Sequence, residues 1–169
     1  ITKALAVGYR HIDTASLYGN EEQVGEAIRY SGVAREDIFV TTKVWNSDQG
    51  YDETLRAFET SLTKLGMDYV DLYIYHMWDW QTPIYDIMDG LTRIVKAGKA
   101  RYIGISNCFA WQIAKANALA EKEGFAKFVS VQGHYNLIFR EEEREMVPYC
   151  EEENIALTPY SALASGRLS

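Results

Sequence analysis

The run "YVDLYIYH", residues 69–76, decides the fold. It is built from Val, Leu, Ile and Tyr, which favour extended backbone, and it does not alternate apolar with polar. A strand apolar on both faces has to be covered on both sides, as strands of parallel sheets are. The flanking segments supply the cover. Before it, Leu55, Phe58, Leu62 and Leu65 fall on one helical face, and Gly66 is placed to stop that helix. After it, Ile84, Ile87, Met88, Leu91 and Val95 repeat the pattern ahead of Gly98.

Working outward, the same unit recurs. "RHIDTA", "DIFVTTKV", "ARYIGISN", "FVSVQGHYN" and "IALTPYSAL" are further strand runs, with "EEQVGEAI" and "WQIAKANALAEKEG" among the intervening helices. Strand and helix in alternation predict a parallel α/β fold. No Pro- or Ser-rich linker interrupts the pattern, so residues 1–169 read as a single domain. A doubly wound sheet should carry G-x-G-x-x-G after its first strand; none occurs, which favours a (β/α)8 barrel.

Composition narrows the function classes. The net charge of −7 repels a phosphate backbone, which argues against nucleic acid. No apolar run reaches the roughly 18 residues of a membrane span, and no leader is read at Ile1, where the chain opens as if inside a helix. Cys108 and Cys150 are too few for a disulfide framework and lack metal-ligand spacing. The expectation is a reduced, cytoplasmic protein without a metal.

The strand ends carry the functional signal. In order they are Asp13, Lys43, His76, Ser106 with Asn107, Gln132, and Tyr160 with Ser161. In a parallel barrel these C-terminal ends share one mouth, where such barrels place their chemistry. Singly, each has an ordinary reading: Asp13 as a helix cap, Lys43 as a solvated cation, His76 as a core histidine, Tyr18 as a packed ring. Together an Asp, a Tyr, a Lys and a His suit proton delivery to an oxygen that gains negative charge. A phenol of pKa about 10 becomes a better acid beside an ammonium. The ammonium needs a carboxylate, and the imidazole orients the reacting oxygen. Lys43 would also suit a Schiff-base isomerase or aldolase.

These motifs resemble the aldo-keto reductase family. "GYRHIDTASLYGNEEQVGEAI", "VTTKVW", "MDYVDLYIYH", "GKARYIGISN", "VQGHYN" and "TPYSAL" follow its order over nearly the whole chain. The resemblance implies a TIM barrel and reversible NADPH-dependent reduction of aldehydes or ketones, with NADH as the other possible donor. A cofactor-binding regulatory module of the same fold is the alternative. By the resemblance, Tyr18 is the general acid, Lys43 lowers its pKa, Asp13 pairs with Lys43, and His76 orients the carbonyl. Ser106, Asn107 and Gln132 would hold the nicotinamide carboxamide, Tyr160 would stack on the ring, and Ser161 and Leu163 would meet the pyrophosphate. Trp45 and Trp78 would line the substrate pocket.

The chain departs from the family in three places. After His76 comes "MW" rather than Trp-Pro, and "GHYN" puts His134 where Glu is common, so His134 reads as structural. Only six strand runs are present, against eight strands and about 250 residues in a full barrel. The first and last strands are expected to be absent, leaving a partial barrel that binds cofactor poorly and self-associates.

Overall fold

The computed structural model describes residues 1–169. The elements run α1 (Thr2–Ala6), β1 (His11–Asp13), α2 (Glu21–Arg29), β2 (Phe39–Val44), α3 (Tyr51–Leu65), β3 (Val70–Tyr75), α4 (Ile84–Lys96), β4 (Ala100–Ser106), α5 (Ala110–Glu123), β5 (Phe128–Gln132), α6 (Met146–Glu152) and β6 (Ala156–Leu157). The six strands form one sheet in sequence order, and every neighbouring pair is parallel. All six runs read from the sequence are strands. The sheet is a curled part-barrel of six strands, ending on β1 and β6, which do not pair with each other.

Curl follows from one bond. Gln132 at the end of β5 donates from Nε2 to Asp13 Oδ2 on β1 at 2.9 Å, across three intervening strands. Strands lie about 4.8 Å apart, so a flat sheet would hold these residues nearly 20 Å from one another. Bending the sheet toward a barrel closes that gap and brings the strand ends onto one rim.

Every residue of β3 is buried, as its two-sided apolar pattern requires. Its outer face packs under the helices: Tyr73 meets Phe58 of α3 edge-on at 4.5 Å between ring centroids. Met88 and Leu91 of α4, Ile113 of α5 and Val24 and Ile28 of α2 extend this layer. Gly66 closes α3 in the left-handed conformation (φ 62°), which costs glycine little. Gly25 lets α2 approach the end of α3, because a Cβ there would lie 2.0 Å from the Leu65 carbonyl oxygen. Inside the curl, His11, Phe39, Leu72, Tyr102, Val129 and Ala156 line an apolar hollow.

Two features were not legible in the pattern. Helix α6 has seven residues and Pro148 in its first turn, a position proline tolerates because that N–H lacks a helical partner anyway. Asp71, the single charge in the deciding run, is 2% exposed. It accepts from the backbone N–H of Val40 (2.9 Å) and from Arg35 (2.9 Å), and forms an ion pair with Arg101 (3.1 Å). Both guanidinium groups lie over the Tyr69 ring, at 4.2 and 4.7 Å. This clamp fastens β2, β3 and β4 near their starts. No helix is long and apolar enough to cross a membrane.

Candidate active site

The rim begins at β1. Parallel pairing carries past Asp13 to Thr14, whose N–H donates to the Thr41 carbonyl at 2.9 Å. The chain then turns through a short 3-10 helix, Ser16–Tyr18, capped by Gly19 in the left-handed conformation. Ser16 Oγ donates to the Lys43 carbonyl (3.0 Å), and Thr14 Oγ1 donates to Asn20 Oδ1 (2.6 Å). These bonds pin the turn over the end of β2, so Tyr18 is held beside Lys43 although it is half exposed.

Lys43 is fully buried. Its Nζ donates to the Asp13 carboxylate and to the Thr14 carbonyl (2.8 Å), and it lies 5.2 Å from the centroid of the Tyr18 ring. Burial pulls the ammonium below its ordinary pKa, while the charge of Asp13 and its hydrogen bond push it back up. The ion pair is what lets a charged nitrogen stay in this position.

His76 follows β3, its N–H donating to the Val44 carbonyl at 3.3 Å. The Tyr18 and Trp45 rings meet it edge-on, at 6.0 and 5.3 Å between centroids. Burial lowers its pKa first and Lys43 second, with Asp13 opposing. The imidazole is therefore neutral at pH 7, and its Nδ1 is buried without a partner.

The resting phenol of Tyr18 is raised above its ordinary pKa, by burial first and by Asp13 second, although Lys43 lies beside the ring. The ammonium is engaged by Asp13, so the carboxylate offsets its field at the phenol.

The remaining rim residues converge across the mouth. Asn107, in the left-handed region at φ 51°, donates from Nδ2 to the His76 carbonyl (3.2 Å) and to Ser106 Oγ (2.9 Å). Its Oδ1 accepts from the Tyr160 hydroxyl at 3.0 Å. Gln132 reaches Asp13, as described above. Asp13, Tyr18, Lys43, Trp45, His76, Ser106, Asn107, Gln132 and Tyr160 are thus linked by bonds or ring contacts into one network.

Trp78 lies against Trp111 at 6.4 Å between ring centroids. Ser161 and Leu163 are exposed, in a segment where Ser161, Ala164 and Ser165 have φ of 56°, 47° and 56°. Sequence reasoning missed Thr14, Ser16 and Asn136. Thr14 serves Lys43 through its backbone carbonyl, which no side-chain pattern reports. Asn136 had a signal, an asparagine in a turn, where its side chain bonds nearby backbone.

A parallel sheet curled toward a barrel, with its polar side chains gathered at the C-terminal rim, places the molecule in the (β/α)8-barrel class. The family model of the aldo/keto reductase family matches residues 1–169, and the chain belongs to that family. It is 42% identical to a 9,11-endoperoxide prostaglandin H2 reductase of Trypanosoma cruzi, over 96% of this chain and 55% of that protein. It is likewise 42% identical to a glyoxal reductase of Bacillus subtilis, over 99% of this chain and 58% of the relative. Among solved structures, an aldo-keto reductase of Bombyx mori in complex with NADP superposes with a TM-score of 0.84 at 36% identity, over 95% of this chain and 54% of that one. The chain spans little more than half the length of these relatives.

Proposed function

We propose that this chain carries the proton-delivery and nicotinamide-facing part of an NADPH-dependent carbonyl reductase, and that residues 1–169 belong to a single barrel domain. The observation that carries the reading is the buried Lys43–Asp13 pair set beneath Tyr18, with His76 edge-on to the same phenol. The Bombyx relative's complex with NADP and the carbonyl substrate named for the glyoxal reductase support the cofactor and substrate class.

The donor set fits a nicotinamide. A carboxamide needs one donor and one acceptor. Ser106 Oγ accepts from Asn107 and keeps its own hydroxyl hydrogen to give, while Gln132 donates through Nε2 and keeps Oε1 to accept. Tyr160 offers an exposed ring beside them, suited to offset stacking. Ser161 and Leu163, exposed in the segment after Tyr160, are the residues assigned to the pyrophosphate. When bound, the dihydronicotinamide supplies the hydride that the carbonyl carbon accepts.

The chain's own residues handle the oxygen. An orphaned buried N–H costs more than an orphaned acceptor, so His76 is assigned bare at Nδ1 with its hydrogen on Nε2. That N–H orients the carbonyl oxygen. Tyr18 stays protonated at neutral pH and donates its phenolic proton as the oxygen gains charge. Lys43 stabilises the phenolate left behind, and Asp13 keeps Lys43 charged.

Tyr18→Phe should lower kcat for aldehyde reduction about 10²- to 10⁴-fold, the usual share of general acid catalysis. NADPH affinity, followed by nucleotide fluorescence, should stay near the wild-type value. Unchanged turnover would remove Tyr18 from the mechanism.

A further inference from the structure

The sequence reading left His134 without a role beyond structure. Its ring is the middle member of a stack of three: Phe139 lies parallel to it at 4.4 Å and Tyr160 at 5.4 Å, each with an interplanar angle of 11°. The backbone aligns the same pair. His134 and Tyr160 form an isolated parallel bridge, with the Tyr160 N–H donating to the Gly133 carbonyl at 2.9 Å.

Asn136 locks the arrangement. Its Oδ1 accepts from the N–H groups of Ile138 and Phe139, both at 2.9 Å, which folds residues 136–139 back on themselves. Its Nδ2 donates to the Ser161 carbonyl at 3.1 Å and lies 3.3 Å from His134 Nε2. One buried amide therefore grips both the ring behind Tyr160 and the residue after it. Tyr160 itself is 40% exposed. A tyrosine that open would sample several rotamers, but here one face is backed by His134 and the hydroxyl is tethered to Asn107. Its plane is fixed before any ligand arrives, which reduces the ordering cost of binding.

We propose that His134 is a positioning residue for dinucleotide binding: it backs Tyr160 and, through Asn136, steadies Ser161, so that the ring is presented at a set angle to the nicotinamide. This rests on the functional reading above. His134 touches neither the carbonyl nor the proton donor, so its effect falls on NADPH affinity rather than on proton transfer.

The test compares wild type with His134→Ala and His134→Phe. An aromatic pair contributes about 0.5–1.5 kcal/mol, which predicts a rise in NADPH Kd of about 2- to 12-fold in His134→Ala, measured by fluorescence titration without substrate. The KM for NADPH should rise in step, with kcat much less affected. His134→Phe keeps the stacked ring and should restore Kd to within about 2-fold, although it loses the contact with Asn136. A unchanged Kd in His134→Ala, while wild type binds NADPH, would overturn the role of His134 alone. A loss that His134→Phe does not rescue, matched by a lowered unfolding midpoint in both variants, would reduce His134 to a structural residue and overturn the proposal. Because a partial barrel is expected to bind cofactor weakly, the titration runs to millimolar NADPH; no saturable binding by wild type even there would overturn the functional reading and this assignment with it.

Discussion

Removing the Asp71 carboxylate tests the deciding strand directly. Asp71→Ala strands the buried N–H of Val40, which now donates to Asp71 at 2.9 Å; an unsatisfied buried donor costs about 1–3 kcal/mol. It also takes the carboxylate from Arg35, whose Nε already lacks a partner and whose other contacts are the carbonyls of Ile38 and Tyr69. A hydrogen bond to a charged group contributes about 1.5–3 kcal/mol. Arg101 is 51% exposed, so its arm adds only about 0–1 kcal/mol. The expected loss is about 3–5 kcal/mol, the range for breaking one side of a buried pair, against a total stability of about 5–15 kcal/mol for a domain. Urea unfolding followed by far-UV circular dichroism measures it, with Arg101→Met as the control expected to lose no more than about 1 kcal/mol. In about 1 M NaCl the Debye length falls to about 3 Å, which should weaken the Arg101 arm and leave most of the Asp71→Ala loss in place. A loss below about 1 kcal/mol, or one abolished by salt, would refute the reasoning.

Other perturbations probe the packing and the rim. Gly25→Ala should destabilise by at least about 1–3 kcal/mol, because its methyl would meet the Leu65 carbonyl oxygen at 2.0 Å; an unchanged melting temperature would deny that close approach. His76 has a folded pKa below its unfolded value, so the unfolded chain takes up the proton first as pH falls. Its contribution to stability is therefore full above about pH 6.5 and is lost below that; His76→Asn should flatten the wild-type decline in unfolding midpoint between pH 7.5 and 5, and parallel profiles would contradict the shift. Burial pushes the Cys108 thiol up to about 12, leaving a thiolate fraction of about one in ten thousand at pH 8. Native Cys108 should react with a disulfide reagent far more slowly than in urea, and equal rates would show the thiol to be open.

Local pattern carried the strand order and the identity of the rim. Runs such as 69–76 are apolar on both faces only if covered on both sides, and the polar residue that ends each one was visible because the run stops there. Helix α6 escaped because its seven residues and early Pro148 leave too little periodicity to read. Asp71 escaped for the opposite reason: a lone charge inside an apolar run has no meaning until its partners at 35, 40 and 101 are brought to it.

What the sequence by itself determined is the set of parallel strands and the side chains at their ends, since both follow from spacing along the chain. Tertiary structure decided how those side chains are used. The curl of the sheet set Gln132 against Asp13, 119 residues away, and set Lys43 into a bond with Asp13 that offsets its field on Tyr18. It turned Trp78 toward Trp111 and backed Tyr160 with His134. Charge balance and ring contact depend on distance in space, and only the folded sheet fixes those distances.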